Sequence, residues 1–118
     1  MKVCSAVLNQ LLILGVVLAA EKKEFSPLFV PMRESGKLYK MDEHIMVAVS
    51  GVVADANFLV DCGRLVSQQH LYTMHTPMYV EEIVKDISNR KHQLTQFGSG
   101  RPYGVSLMYA GYDRMLGF

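Results

Sequence analysis

The chain has 118 residues and a formal net charge of +1 at pH 7; half of its residues are hydrophobic and 19% are charged. This length suits one compact domain, and this composition forms a core rather than a disordered segment. The basic residues are scattered and form no stripe that could follow a phosphate backbone, so nucleic-acid binding is not expected. Two cysteines, Cys4 and Cys62, are too few for a disulfide framework, and Cys62 is expected to pack in the core.

The N-terminal segment "MKVCSAVLNQLLILGVVLAAEKK" admits two interpretations. A lysine at position 2, an apolar run over 11–20 and small residues before the charges are the layout of a secretory signal peptide, so a small secreted protein is one alternative. The run is too short to span a bilayer as a helix, and no membrane partner is expected. Alternatively, "GVVLAA" (15–20) is a β-branched run bounded by Gly15 and the charges of 21–23, as in a buried strand.

A β-hairpin is predicted after a connection that contains two prolines. Pro27 and Pro31 exclude an uninterrupted helix or a central strand there. "KLYKMDEH" (37–44) predicts a short strand that ends in a turn at Asp42 and Glu43. "HIMVAVSG" (44–51) predicts a second strand with two apolar faces, both of which should be covered.

The next segment predicts a long helix that ends near Met74. Asp55 is expected to cap it, because a carboxylate can accept from the N–H groups of the first turn. Gly63 inside the helix indicates a close neighbour at that point. Three-and-four spacing predicts one apolar face, made of Phe58, Leu59, Cys62, Leu65, Val66 and Gln69.

A second helix is predicted to begin at Thr76 and Pro77, which suit its cap and its first turn. Glu81 and Lys85 form a favourable i,i+4 ion pair on its exposed side. Its apolar face is predicted to consist of Val80, Ile83, Val84, Ile87 and Leu94.

The segment "TQFGSGRPYGVSLMYAGYD" (95–113) leads from this helix into a strand through a densely specified turn. Gly98 and Gly100 stop the helix and permit positive φ, and Pro102 fixes the angle at which the chain re-enters the fold. Arg101 can bridge to nearby carboxylates or carbonyls. "YGVSLMYAG" then predicts a strand covered on both sides.

The closing "YDRMLGF" predicts a turn at Asp113 and Arg114 and a further strand from Gly117. A domain does not usually end on the first residues of a strand, so a truncated C-terminus is expected. The order of hairpins around a helix pair predicts an α+β fold, with helices layered on a largely antiparallel sheet.

No catalytic, phosphate-binding or metal-binding motif stands out. His70 and His75 are five residues apart, which is not the i,i+4 spacing of a helical metal pair. "GSGRPYG" follows a helix and precedes a strand, the reverse of a phosphate-binding loop. Cys62 paired with a histidine would be a nucleophile, but its place on an apolar helix face favours packing. No cofactor and no metal are expected.

Four segments resemble the α-type subunits of the proteasome core particle, in the order and near the spacing of that family. They are "GVVLAAEKK" (15–23), "KLYKMDEH" (37–44), "VAVSGVVADANFLVD" (47–61) and "TQFGSGRPYGVSLMYAGYD" (95–113). The resemblance covers 15–118 well and 1–14 poorly, so residues 1–118 are taken as one partial domain. It implies an incomplete α/β/β/α sandwich of antiparallel sheets, the fold of N-terminal-nucleophile hydrolases.

The resemblance also implies a structural subunit without catalysis. In this family the β-type relatives are the peptidases and carry an N-terminal threonine nucleophile. No candidate threonine precedes "GVVLAA" here, which disfavours the alternative of a β-type threonine peptidase. The implied partners are other α subunits, β subunits and the C-termini of regulatory particles or activators, in ubiquitin-dependent degradation in cytoplasm and nucleus.

Two candidate sites follow from the resemblance. Lys37 matches a lysine that lines the pocket between neighbouring α subunits and pairs with an activator's C-terminal carboxylate, and Gly51 and Val52 match residues near that pocket. At the N-terminus, Cys4 takes a glycine position and the gate-forming segment and helix of the family are not matched, so the pocket is expected to be incomplete. A rigid turn that contacts neighbouring subunits is expected at Gly98, Gly100, Arg101, Pro102, Tyr103 and Gly104.

Overall fold

Strands and two helices make up the part of the chain that the structure describes. The computed structural model describes residues 7–12, 15–21, 28, 36–98, 100–115 and 117. In chain order the elements are β1 (Val7–Leu12), β2 (Gly15–Ala20), β3 (Leu38–Asp42), β4 (Ile45–Gly51), α1 (Val53–Met74), α2 (Val80–Gln96) and β5 (Val105–Gly111). The strands form two antiparallel sheets, one of β1 and β2 and one in the order β3–β4–β5.

The three-stranded sheet contains the predicted hairpin, with β4 at its centre. Leu38 pairs with Ala48 across β3 and β4, and a register irregularity lies between Lys40 and Asp42. The turn falls at residues 43–44, one residue later than predicted. Val47 and Ala48, on opposite faces, are 0% and 1% exposed, which confirms that both faces are covered at the middle of β4. Met46, nearer the turn, is 40% exposed.

The core lies between the two helices and one face of this sheet. Each large apolar side chain buried there contributes about 1.5–3 kcal/mol relative to exposure. On the other face, Val16 and Leu18 of β2 line a cleft of about 370 Å³ together with Met46 and Ala110. The core is made of Met41, Ile45, Val47, Val49, Ala56, Leu59, Val60, Met78, Ile83, Ile87 and Val105.

The segment 15–20 is a strand, as the second interpretation of the N-terminus predicted, but the predicted burial is wrong, because its side chains are half-buried or exposed and Val17 is 49% exposed. The strand pairs along its length with β1, which was not predicted. The connection with Pro27 and Pro31 lies outside the described residues, and so does Cys4. Among the described residues, neither helix combines the length and the apolar character needed to cross a membrane. These findings support an α+β fold for the described chain.

The predicted apolar face of α1 is wrong in phase, although the predicted end at Met74 is confirmed. Phe58 and Leu65 are 55% and 71% exposed. A Cβ added to Gly63 would lie 2.6 Å from the Met41 sulfur, so the close neighbour predicted at Gly63 is confirmed. Because α1 approaches β3 so closely, small residues fit its buried face and several large ones point outward. The buried residues of α1 are Asp55, Ala56, Leu59, Val60, Gly63 and Ser67.

The predicted start of α2 is also wrong, because the helix begins at Val80 and not at Thr76 and Pro77. The reason is a cap from elsewhere in the chain: the Val80 N–H donates to both carboxylate oxygens of Asp113, each at 3.2 Å. The predicted apolar face is confirmed by the burial of Ile83 and Ile87. The predicted ion pair between Glu81 and Lys85 is present at 2.6 Å.

The predicted turn after β5 is confirmed by a bridge between Asp113 and Gly117. Each N–H donates to the carbonyl of the other residue at 2.8 Å. Asp113 is 7% exposed, so this turn holds the carboxylate in place over the start of α2. The predicted strand from Gly117 onward is described at that one residue only.

Candidate interaction site at the turn before β5

A clamp between Arg101 and Asp55 holds the turn that precedes β5 against the first turn of α1. Arg101 Nη1 donates to Asp55 Oδ2 and Nη2 to Asp55 Oδ1, both at 2.8 Å. The backbone N–H of Gly104 donates to the same carboxylate at 3.0 Å. The planar guanidinium matches the two carboxylate oxygens, so the clamp fixes orientation as well as distance. The predicted bridge from Arg101 to a carboxylate is therefore confirmed.

The role predicted for Asp55 is wrong. It lies in the first turn of α1 rather than at the cap position, which Val52 occupies without a side-chain hydrogen bond. Its hydrogen bonds from Arg101 and then from Gly104 lower its pKa below the ordinary carboxyl value, and burial opposes them. Asp55 is buried, whereas the side chain of Arg101 is 67% exposed. The site thus holds an ionised carboxylate beneath a solvent-facing guanidinium.

Gly51 and Val52 join the same turn from the end of β4. The Val52 N–H donates to the Gly104 carbonyl at 2.9 Å. Gly51 has φ +130°, and a Cβ there would collide with the Gly104 carbonyl and lie 2.9 Å from Cα of Val105. Only glycine accommodates both this conformation and this approach. The structure therefore brings Gly51 and Val52 beside Gly104. The sequence analysis assigned Gly51 and Val52 to the activator pocket and Gly104 to the subunit-contact turn.

An aromatic pair joins α1 to the turn beside the clamp. The rings of Phe58 and Tyr103 stack with centroids 5.9 Å apart and an angle of 22° between their planes. Phe58 is 55% exposed, and Pro102 is exposed beside Tyr103. Lys91 Nζ donates to the Val105 carbonyl at 3.1 Å and ties α2 to the exit of the turn. The result is a rigid base that presents aromatic and arginine side chains, the types enriched at protein–protein hot spots.

The glycines at the entrance of the turn behave differently from each other. Gly98 has φ +60°, which confirms the predicted positive φ. Gly100 lies outside the positive-φ region, so the conformation that a glycine permits is not used there. A Cβ added to Gly100 would lie 3.9 Å from Leu94, an ordinary contact. The left-handed geometry that ends this helix therefore belongs to Gly98.

Lys37 lies directly before β3, apart from the clamp. Its Nζ donates to the Glu21 carbonyl, which ties the end of β2 to β3. Its own carbonyl accepts from the Val49 N–H at 2.7 Å, two residues before Gly51. The cleft between β2 and the larger sheet is lined by neither Lys37 nor Gly51 nor Val52. The activator pocket that the resemblance implied stays a prediction.

Sequence reasoning missed the partner of Asp55 and the part played by Phe58 and Asp113. The one feature of the sequence that could have indicated the partner of Asp55 was Arg101, because its guanidinium can bridge to a carboxylate. Cys62 is partly buried rather than fully packed. Within the described part of the chain, no three His, Cys, Asp or Glu side chains come together as metal ligands would.

Comparison with known proteins gives one consistent result. A family model described as "Proteasome subunit" matches residues 14–117. A "Proteasome subunit alpha type-4" from Dictyostelium discoideum is 47% identical over 105 residues, which are 88% of this chain and 42% of that protein. A protein of the same name from Spinacia oleracea is 41% identical over 104 residues, with the same 88% and 42% coverage.

A third relative, "Proteasome subunit alpha type-4-A" from Arabidopsis thaliana, is 41% identical over 104 residues. The chain spans 42% of the length of each of these curated relatives. The closing "GYDRMLGF" (111–118) also resembles the α type-4 subunits. The chain therefore belongs to the proteasome subunit family.

Proposed function

We propose that this chain acts as a non-catalytic structural subunit of the α ring of the proteasome core particle. Its relatives are named as α subunits, and the chain spans 42% of their length. The proposed partners are other α subunits, β subunits and the C-termini of regulatory particles or activators. The proposed setting is ubiquitin-dependent degradation in cytoplasm and nucleus, on the α/β/β/α sandwich of N-terminal-nucleophile hydrolases.

The observation that carries this proposal is the clamped turn beside α1. Asp55 and Arg101 fix the turn through two 2.8 Å hydrogen bonds, so the exposed surface of Phe58 and Tyr103 is organised before any partner arrives. Preorganisation reduces the ordering cost of association. A surface of this kind suits assembly of a ring, in which the register between neighbours has to be reproduced.

Affinity purification of the tagged chain from its source cell tests the proposal. We expect α subunits to co-purify and the chain to migrate with ring assemblies on native gels. Phe58→Ala should reduce this co-purification, because Phe58 is the exposed member of the aromatic pair. Met74→Ala is the matched control, since Met74 is an apolar residue of the same helix, 64% exposed, that lies more than four turns away and on a different side from Phe58. Recovery of the chain without any α subunit would overturn the proposal.

Activator docking at Lys37 is tested in the purified assembly. A terminal carboxylate suits the compact charge of lysine, so Lys37→Ala should weaken binding of an activator C-terminal peptide. Lys40→Ala is the control, because Lys40 is a lysine three residues further along, within β3, and pairs with Glu43 at 2.6 Å. Unchanged peptide binding in Lys37→Ala would contradict the docking role. The role of Lys37 would then be limited to the hydrogen bond that it donates to the Glu21 carbonyl.

A further inference from the structure

Thr76 and Pro77 lie in the linker that joins α1 to α2, which we call the interhelical linker (75–79). Neither residue has the role in starting α2 that the sequence predicted, because the helix begins at Val80. The Thr76 carbonyl oxygen lies 3.1 Å from His70 Nδ1. Within the described part of the chain, the Thr76 hydroxyl has no hydrogen-bond partner. The hydroxyl is therefore available as a reacting group.

The Thr76–Pro77 pair lies on exposed backbone outside the two helices. His75, Thr76 and Pro77 are all exposed. His75 has φ 55° and ψ 20°, so the chain turns away from the direction of α1 directly before Thr76. The following proline disfavours helical backbone at Thr76. The Thr76 hydroxyl and the Pro77 ring are thus both presented to solvent, where a second protein can contact them.

An exposed threonine followed by an exposed proline matches the substrates of one class of enzyme, the proline-directed protein kinases. Proline has a fixed φ and no N–H, so a kinase pocket that offers no acceptor for this N–H accommodates proline and penalises other residues. In the transfer, Thr76 Oγ1 forms a bond to the γ-phosphorus of ATP, and the bond from that phosphorus to the β,γ-bridging oxygen breaks. ADP leaves, and the hydroxyl proton passes to the catalytic aspartate of the kinase.

The charges on both sides of the interhelical linker are unfavourable for a phosphate at Thr76. Phosphothreonine has a charge of about −1.5 to −2 at pH 7. α1 ends two residues before Thr76, and its dipole concentrates partial negative charge at that end. α2 has Glu81 and Glu82 in its first turn, and the Asp113 carboxylate already accepts from the Val80 N–H. A phosphate at Thr76 should therefore repel these groups and weaken the first turn of α2.

We propose that Thr76 is a phosphorylation site for a proline-directed kinase and that phosphate at this position weakens the first turn of α2. The first part rests on the exposed hydroxyl and proline, and the second part rests on the negative charges around the linker. This inference does not depend on the proposed function.

Phosphorylation of the purified full chain tests the site. The sequence contains one other hydroxyl–proline pair, Ser26–Pro27, which lies outside the described residues, so the assay uses the Ser26→Ala chain. Incubation with ATP and a purified mitogen-activated protein kinase, followed by tandem mass spectrometry, should locate one phosphate, on Thr76. Pro77→Ala should lower the initial rate by about tenfold or more, because its side chain no longer fills the pocket of the kinase.

Thr95→Ala is the matched control. Thr95 is also exposed, but its hydroxyl donates to the His92 carbonyl at 2.7 Å and no proline follows it. Thr95→Ala should be phosphorylated at the unaltered rate, Thr76→Ser should still react and Thr76→Ala should not. Failure to modify Thr76, while a reference peptide with a Thr-Pro pair is modified, would overturn the proposal. An unaltered rate in Pro77→Ala would also overturn it.

Hydrogen exchange of the phosphorylated and unmodified chains tests the effect on α2. The measurement is made at pH 8.0, above the range in which histidine ordinarily titrates. Protection of the amides of 80–83 should fall roughly 2- to 5-fold in the phosphorylated chain, the size of a charge effect at a helix end. The amides of β4 should keep their protection. Equal protection of 80–83 in the two forms would overturn the proposal.

Asp113→Asn identifies the source of the weakening. Asparagine keeps an oxygen that can accept from the Val80 N–H but removes the negative charge. Phosphorylation should therefore reduce the protection of 80–83 less in Asp113→Asn than in the unaltered chain. Asp61→Asn, at an exposed position of α1, is the control and should show the full reduction. The full reduction in Asp113→Asn would overturn repulsion by Asp113 as a cause of the weakening.

Discussion

α1 and α2 pack into one core but bury different kinds of side chain. α2 buries Ile83 and Ile87, the residues that its apolar spacing indicates. α1 buries Gly63 and Ser67 along with large residues, while Leu65 is 71% exposed. Apolar periodicity therefore identifies the buried face where helix and sheet are far enough apart for large side chains. Where the approach is close, small residues take that face.

The outward face of α1 carries apolar residues at intervals of seven. Phe58, Leu65 and Tyr72 are 55%, 71% and 82% exposed. Residues at this spacing lie along one side of a helix. The apolar signal in the sequence of α1 thus comes partly from its surface, which explains why the predicted face was rotated away from the core.

The largest effect that tests this comparison is expected from Leu59→Ala against Leu65→Ala. Leu59 is 0% exposed, so its truncation leaves a cavity and should lower the free energy of unfolding by about 2–5 kcal/mol. Leu65→Ala should change it by no more than about 0.5 kcal/mol. Urea denaturation measures both. Similar losses for the two variants would mean that Leu65 is packed as well as Leu59, which would contradict the comparison.

The next effect is expected from Gly63→Val. Valine adds bulk where a Cβ would already lie 2.6 Å from the Met41 sulfur, so overpacking should cost about 1–3 kcal/mol. Thermal unfolding followed by circular dichroism measures this loss. Ser88→Val, at an exposed position of α2, provides the control for the helix propensity of valine. An unaltered melting temperature in Gly63→Val would show that the two elements separate at little cost.

A smaller effect distinguishes the two possible caps of α2. Asp113→Ala removes the carboxylate that accepts from the Val80 N–H and should cost about 0.5–2 kcal/mol. Thr76→Ala, at the position first predicted as the cap, should remain within about 0.5 kcal/mol of the unaltered chain. Both values come from chemical denaturation. A larger loss of stability in Thr76→Ala than in Asp113→Ala would indicate that Thr76, and not Asp113, caps α2.

The smallest effect concerns Asp55 at the start of α1, because the exposed guanidinium of Arg101 is screened by solvent. The folded pKa of Asp55 lies below its ordinary value, so the folded state binds fewer protons than the unfolded state. The ionised Asp55 carboxylate therefore contributes fully to the free energy of unfolding above the ordinary carboxyl pKa. This contribution declines as the pH falls through the pKa of Asp55 in the folded state.

Urea denaturation from pH 6 to pH 2.5 measures this contribution. Asp55→Asn should be less stable than the unaltered chain at pH 6, and the difference should narrow as the pH falls. Asp61→Asn, at an exposed pair with Arg64, is the control. A difference that does not depend on pH would rule out a charged role for Asp55.

The elements that depend on local pattern were predictable from the sequence. Alternating residues predicted the β3–β4 hairpin, and three-and-four spacing predicted the buried face of α2. The partner of Asp55 and the cap of α2 were not predictable, because Arg101 and Asp113 lie 46 and 33 residues away along the chain. At the candidate site, the sequence identified the turn and the bridging arginine but not the carboxylate beneath it. Local spacing contains no information on how closely α1 approaches Met41.

Asp113 also sets an order of events at the ribosome. Its carboxylate completes the start of α2 at Val80, 33 residues earlier in the chain. At about 5–20 residues per second, translation reaches Asp113 roughly 2–7 seconds after Val80. During that interval the first turn of the helix lacks the acceptor that Asp113 provides for the Val80 N–H.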